Sequence, residues 1–230
     1  MDYMLLFNEN FITIGLFILA IIVTTYAHGK IKTTYGTYKN IRTSRTGLDV
    51  ARQILDNNGL KDVKIVQVKG ELTDHYDPNR KVVRLSSHIY NSNTIAAVSV
   101  AAHEVGHAIQ DKDGYTFMRI RAMLVPVVNI VSYLGYFSII VAIFGGIDSY
   151  ILIGIYILLA TMLFQFVTLP VEFDASKRAI SELVKYNLIE RKEEERVKKM
   201  LNAAALTYVA GLIATMLNLL RLIIMYRNRR

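Results

Sequence analysis

The sequence has 230 residues, 53% of them hydrophobic, with a mean hydropathy of +0.31 and a formal net charge of +8. That is too apolar for an ordinary soluble domain, so membrane-spanning segments are expected. There is no cysteine, which excludes thiolate zinc sites, disulfides and a cysteine nucleophile. The positive charge suits loops lying against anionic lipid headgroups, and no basic stripe with interleaved aromatics points to nucleic acid.

In chain order, residues 11–27 carry no charge and form a first apolar span, at the short edge of the roughly 20 residues a crossing needs. No Lys or Arg precedes it and no small-x-small cleavage site follows, so a signal-anchor helix is expected rather than a removed signal peptide. The polar region 28–122 reads as a small α+β unit. Thr46 is placed to cap a helix over 47–58, with Val50, Ile54 and Leu55 on one face and Gly59 as its stop. Residues 63–68 are strand-like, Val63, Ile65 and Gln67 alternating with Lys64, Val66 and Val68. Asp77-Pro78-Asn79 marks a turn within 74–80, and 81–85 is a second strand. By fold analogy alone, that strand would be a sheet edge open to peptide addition. Residues 92–111 form a helix rich in small residues: Ala96, Ala97, Ala101, Ala102, Gly106 and Ala108.

A second uncharged span covers 123–146, and a third covers 150–169 with Gln165 its one strongly polar group. Between them, Gly145-Gly146-Ile147-Asp148-Ser149 is a tight turn, which makes the two spans an antiparallel hairpin. The polar regions 28–122 and 170–202 then share one side of the membrane. Pro170 suits the first turn of a new helix or a kink. Residues 191–199 are a mixed charge run read as a solvated helix face. Residues 203–226 form a fourth span with one charge, Arg221. The expected fold is mainly α and integral to the membrane, with about four transmembrane helices and a small α+β unit at the membrane surface. Its parts are an anchor over 1–28, the α+β unit over 29–122, the hairpin over 123–169, two polar helices over 170–202, and a last span with a basic tail over 203–230. Region 28–122 holds 15 Lys and Arg, region 170–202 holds 8, and none precedes the first span, so that side is expected to be cytoplasmic. Arg227, Arg229 and Arg230 would then lie outside, which suggests a tilted or partly inserted fourth span.

His103-Glu104-Val105-Gly106-His107 carries the chemistry. Four residues is just over one helical turn, so both imidazoles leave one face and can share a metal. Glu104, on the same turn, is the candidate base for a water in the metal's open position. The flanks Val98, Val100, Val105 and Ile109 are apolar, and two histidines and a glutamate among them would be costly without partners. A catalytic zinc needs a third protein ligand from another element. Glu172 and Asp174, just after the third span, are the candidates; equally, they suit the positive end of a helix dipole.

The strings Ala101-Ala102-His103-Glu104-Val105-Gly106-His107-Ala108-Ile109-Gln110, Leu169-Pro170-Val171-Glu172-Phe173-Asp174-Ala175-Ser176 and Ala204-Ala205-Leu206-Thr207-Tyr208-Val209-Ala210 resemble the YugP-type neutral zinc metallopeptidases of bacterial membranes. Asp74-His75-Tyr76-Asp77-Pro78 and Leu85-Ser86-Ser87 are similar too, so the likeness covers nearly the whole chain. It implies one zinc per chain in a gluzincin-like site that a downstream glutamate completes. The wider relatives, HtpX-like and CAAX-prenyl-protease-like, use Glu-x-x-x-Asp; here Ser176 stands at the Asp position. The residues favour Glu172 over Asp174. The two lie about 200° apart on a helix. Glu172 shares its face with the small residues Ser176 and Ala179, whereas Asp174 stands four before Arg178 and is expected to pair with it. Asp174 and Ser176 are then candidates to support the ligands. His75 and His88 are candidate oxyanion donors, as are Tyr76, Tyr90, Tyr115 and Tyr208.

The expected function is a membrane zinc endopeptidase acting on membrane or juxtamembrane protein or peptide substrates, with the bilayer as partner and homo- or hetero-oligomers open. One rival is a non-proteolytic zinc-binding membrane scaffold; against it, Glu104 is present although no ligand role needs it. A transporter is the other, but the spans show no buried acid or histidine that would mark an ion path.

Overall fold

A computed structural model describes residues 3–71, 73–145 and 148–227, with side-chain surroundings for 11–131, 133, 135 and 151–227 apart from 72. The elements are α1 (Tyr3–Tyr38), α2 (Gly47–Asn57), β1 (Lys64–Val68), β2 (His75–Asp77), β3 (Val82–Ser86), α3 (Ser87–Asn91), α4 (Ile95–Lys112), α5 (Thr116–Gly145), α6 (Asp148–Lys185) and α7 (Glu194–Arg227). The chain divides into two compact units: Met1–His28 with Ile120–Leu169 and Thr207–Arg230, and Gly29–Arg119 with Pro170–Leu206.

The first unit is helical. Among the described residues, three helices are long and apolar enough to cross a membrane: Phe11–Tyr38, Ile151–Lys185 and Glu194–Arg227. Their surfaces expose Phe11, Ile14, Ile22 and Phe166, which water would not tolerate in such a stripe but hydrocarbon would. Where helices meet, small residues let them approach: a Cβ on Gly154 would lie 3.0 Å from Leu222 Cδ1. The expected second span is helical as far as Gly145, inside α5. Gly146 and Ile147 of the expected turn, and Arg229 and Arg230 of the tail, lie outside the described residues.

The second unit is an α+β layer. Its sheet has the order β1-β3-β2, with β1 parallel and β2 antiparallel to β3. Thr46 and Asp49 form a capping box at the start of α2, and Gly59 follows its end at φ +72°. The amphipathic face of α2 packs on α4 and buries Val50, Ile54 and Leu55 in one core with Val98, Ala101 and Val105 of α4 and Val83 and Leu85 of β3. Leu183, Leu188 and Val197 close the same core. Each fully buried Leu, Ile or Val contributes about 1.5–3 kcal/mol, so this core fixes where α4 lies.

Several expectations need correcting. The strand expected at 81–85 is β3, the central strand; both its edges are paired, so it offers no edge for strand addition. The turn expected at Asp77-Pro78-Asn79 is present, but a strand not expected there, β2, leads into it and at three residues is too short to show an alternation. Gln67 does not join a buried face: it is exposed and donates to Ser87 Oγ at 2.8 Å. The helix expected from Ser92 begins at Ile95, where Thr94 Oγ1 accepts from Ala97 N. Pro170 does not start a helix; α6 runs continuously through it. Of the run 191–199, only Glu194 onward is helical, and Glu193 and Val197 are buried.

Candidate metal centre

α4 presents His103, His107 and Gln110 at spacings of four and three, so all three share one face. The opposite faces of the helix are apolar and seated in the core. Against the histidine face runs α6, offering Glu172 and Ser176, one turn apart. Gly106 allows the approach: a Cβ there would come within 2.6 Å of the Ala175 carbonyl oxygen.

The structure brings His103, His107 and Glu172 together, with one donor atom of each inside a 4.8 Å sphere of mutual distance. Glu172 Oε2 lies 3.2 Å from His103 Nε2 and 3.6 Å from His107 Nε2. The rings stand edge to face at 4.8 Å between centroids. The outer nitrogens are also bonded: His103 Nδ1 to Ser176 Oγ at 3.2 Å, and His107 Nδ1 to Gln110 Oε1 at 3.0 Å. Glu172 is 2% exposed. Burial alone would lower the pKa of His107, but hydrogen bonding and charge from Glu172, with Glu104 adding to it, outweigh burial and raise it.

Asp174 faces elsewhere. Its Oδ2 accepts from Arg178 Nε at 2.6 Å and Gln110 Nε2 at 2.9 Å, and Arg178 also reaches Asp113 at 2.5 Å. Glu104 is 8% exposed yet takes no hydrogen bond or ion pair among the described residues. It is a nearly buried carboxylate one position from His103, close enough to raise the His107 pKa.

His75, His88 and Tyr76 take partners outside this cluster. His75 Nδ1 is bonded to the Thr73 carbonyl at 2.8 Å, and His88 lies 3.9 Å from Glu71 on an exposed surface. The Tyr76 hydroxyl donates to Asp111 and that of Tyr115 to the Pro170 carbonyl. Tyr90 packs on the core, and Tyr208 belongs to the helical unit.

The donor set suits a divalent metal. Bonds of about 2.0–2.2 Å to a tetrahedral zinc put neighbouring donor atoms about 3.3–3.6 Å apart. The two carboxylate–imidazole distances of 3.2 and 3.6 Å fit that edge length. Two neutral nitrogens and a carboxylate leave one tetrahedral position for water, and Glu104 is not consumed as a donor. Gln110 and the Gly106 contact were not foreseen as parts of the site. Gln110 carried a signal, standing three residues after His107 on the ligand face; the Gly106 contact is made across helices and leaves none.

The fold and this cluster define a helical protein of membrane-spanning composition with a buried His-His-Glu site built on an HExxH helix. The chain belongs to the family described as "Putative neutral zinc metallopeptidase", which it matches over residues 13–227. It is 43% identical, over 219 residues, to the "Putative membrane protease YugP" of Bacillus subtilis (strain 168), covering 94% of this chain and 97% of that protein. No solved structure matches it.

Proposed function

We propose that this protein is a membrane-bound, zinc-dependent endopeptidase with a gluzincin-like site, acting on membrane or juxtamembrane segments of other proteins. The convergence of Glu172 with His103 and His107 carries the reading, because no packing requirement puts three such groups together in a buried place. His103, His107 and Glu172 would hold the zinc, which when bound acidifies a water and polarises a carbonyl. Glu104 takes a proton from the attacking water and returns it to the departing amine. Its burial without a hydrogen-bond partner among the described residues suits a base that must stay free to move a proton. Ser176 and Gln110 orient the imidazoles from behind. Residues 123–146 act as a fourth span beside the three apolar helices, and the 28–122 and 170–202 regions face the cytoplasm.

The test is cleavage of casein and of membrane-inserted peptides by purified protein in lipid, with and without a chelator, beside the Glu104→Gln variant. Cleavage that zinc restores after chelation, and that the variant lacks while retaining zinc, is the expected result. Stoichiometric zinc with no cleavage of any substrate would favour the scaffold. Full cleavage by Glu104→Gln would remove the proposed mechanism.

A further inference from the structure

Gln110 is fully buried, yet every polar atom of its side chain is used. Its Oε1 lies 3.0 Å from His107 Nδ1, and its Nε2 donates to the Val171 carbonyl at 2.8 Å and to Asp174 Oδ2 at 2.9 Å. The last two partners accept only, so the amide nitrogen must face them and the amide oxygen must face the ring. That oxygen can only accept, so His107 must present an N–H at Nδ1, and in the neutral ring this leaves the lone pair at Nε2. Asp174 is itself held by Arg178, which is anchored to Asp113. A chain of paired groups therefore runs from the surface, Asp113 to Arg178 to Asp174 to Gln110, and ends on one ring nitrogen.

Glu172 pulls the other way. Its Oε2, 3.6 Å from His107 Nε2, favours a proton on the nitrogen that a metal needs bare. Two acceptors thus compete for one imidazole proton. We propose that Gln110 is a positioning residue that decides this competition, fixing the Nδ1–H form of His107 so that Nε2 meets the metal as a lone pair, and tying that choice to α6 through Val171 and Asp174. The same amide links the helix that supplies two candidate ligands to the helix that supplies the third. The purpose assigned to Gln110 rests on the zinc reading above, whereas the tautomer itself does not.

The test uses full-length protein with ¹⁵N-labelled histidine, metal-free and at alkaline pH so that the ring is neutral. The His107 signal is assigned from a His107→Gln sample. Wild type should show a protonated Nδ1 and a bare Nε2. In Gln110→Leu the proton should move to Nε2, and zinc affinity by chelator competition should fall about 10–100-fold. Gln110→Glu keeps an acceptor at that point and should restore the Nδ1–H form. It should regain only part of the affinity, because its links to both Val171 and Asp174 are lost and its carboxylate faces that of Asp174. A wild-type ring protonated at Nε2 overturns the proposal even if Gln110→Leu fails to fold. So does a Gln110→Leu protein with unchanged tautomer and affinity. A wild-type protein that shows the expected tautomer but binds no zinc would remove the zinc reading and leave the role of Gln110 standing.

Discussion

Gly106→Ala asks whether the site depends on the close contact of α4 and α6. Judged by helix propensity alone, the change should stabilise α4 by about 0.8–1 kcal/mol. The structure predicts the opposite sign. The new methyl would stand 2.6 Å from the Ala175 carbonyl oxygen and 3.2 Å from its carbonyl carbon and Cα. All of these are backbone atoms that no rotamer change can withdraw, and 2.6 Å is about 0.8 Å short of the 3.4 Å where ordinary contact begins. Overpacking of this kind costs about 1–3 kcal/mol. Relief requires α6 to back away, and Ala175 lies beside Ser176 and three residues from Glu172, so both would retreat from the imidazoles. Binding sites of this type tolerate only about 0.5 Å of misplacement, so zinc affinity should fall about 10–100-fold. The assay is thermal unfolding in detergent plus chelator competition, with Gly29→Ala as the control: that helical glycine has nothing within 4 Å of a built Cβ. The control should melt at or above wild type and bind zinc normally. A Gly106→Ala protein that did the same would refute the claim that close helix contact builds the site.

Glu172→Ala should lower zinc affinity by more than about 100-fold, and Asp174→Ala by about 10–100-fold through loosened Gln110; isothermal titration of the two variants should give that order, and the reverse order would make Asp174 the ligand. The raised pKa of His107 gives a pH signature. In metal-free protein the stability it contributes is fully present below the unfolded imidazole value and is lost as pH rises through the higher folded value. Zinc needs the unprotonated ring, so the gap in Tm between loaded and metal-free protein should widen from about pH 6 to about pH 8; a constant gap would contradict this. In a chain without cysteine, Lys69→Cys offers a single label on an exposed loop. An impermeant thiol reagent should react only after cells are opened, and labelling of intact cells would reverse the proposed orientation.

The parts of this fold that are local in sequence could be read from it. The HExxH spacing fixes two imidazoles on one helical face, Thr46 caps α2 as its place in the sequence predicts, and the apolar runs fall in long helices. What sequence hid was long-range. β3 is central because β1 and β2 both choose it, and no pattern within 82–86 reveals two partners rather than one. β2 is three residues long, below the length at which alternation means anything. Pro170 suggested either the first turn of a new helix or a kink. The helix nevertheless continues through the proline, and that continuity carries Glu172 to its place. Asp174 could be set apart from Glu172 because its pairing with Arg178 is an i,i+4 contact written in the chain. Gln110 had one local signal, its place on the ligand face, but its partners Val171 and Asp174 are more than 60 residues away.

The proposed activity is cleavage of peptide bonds in or beside the membrane with Glu104 as base. It is tested most directly by proteomics of native membranes carrying either wild-type protein or Glu104→Ala at equal abundance. A defined set of new peptide termini, in membrane or juxtamembrane segments, should be present with wild type and missing with the variant. Identical sets of termini in the two membranes would contradict it.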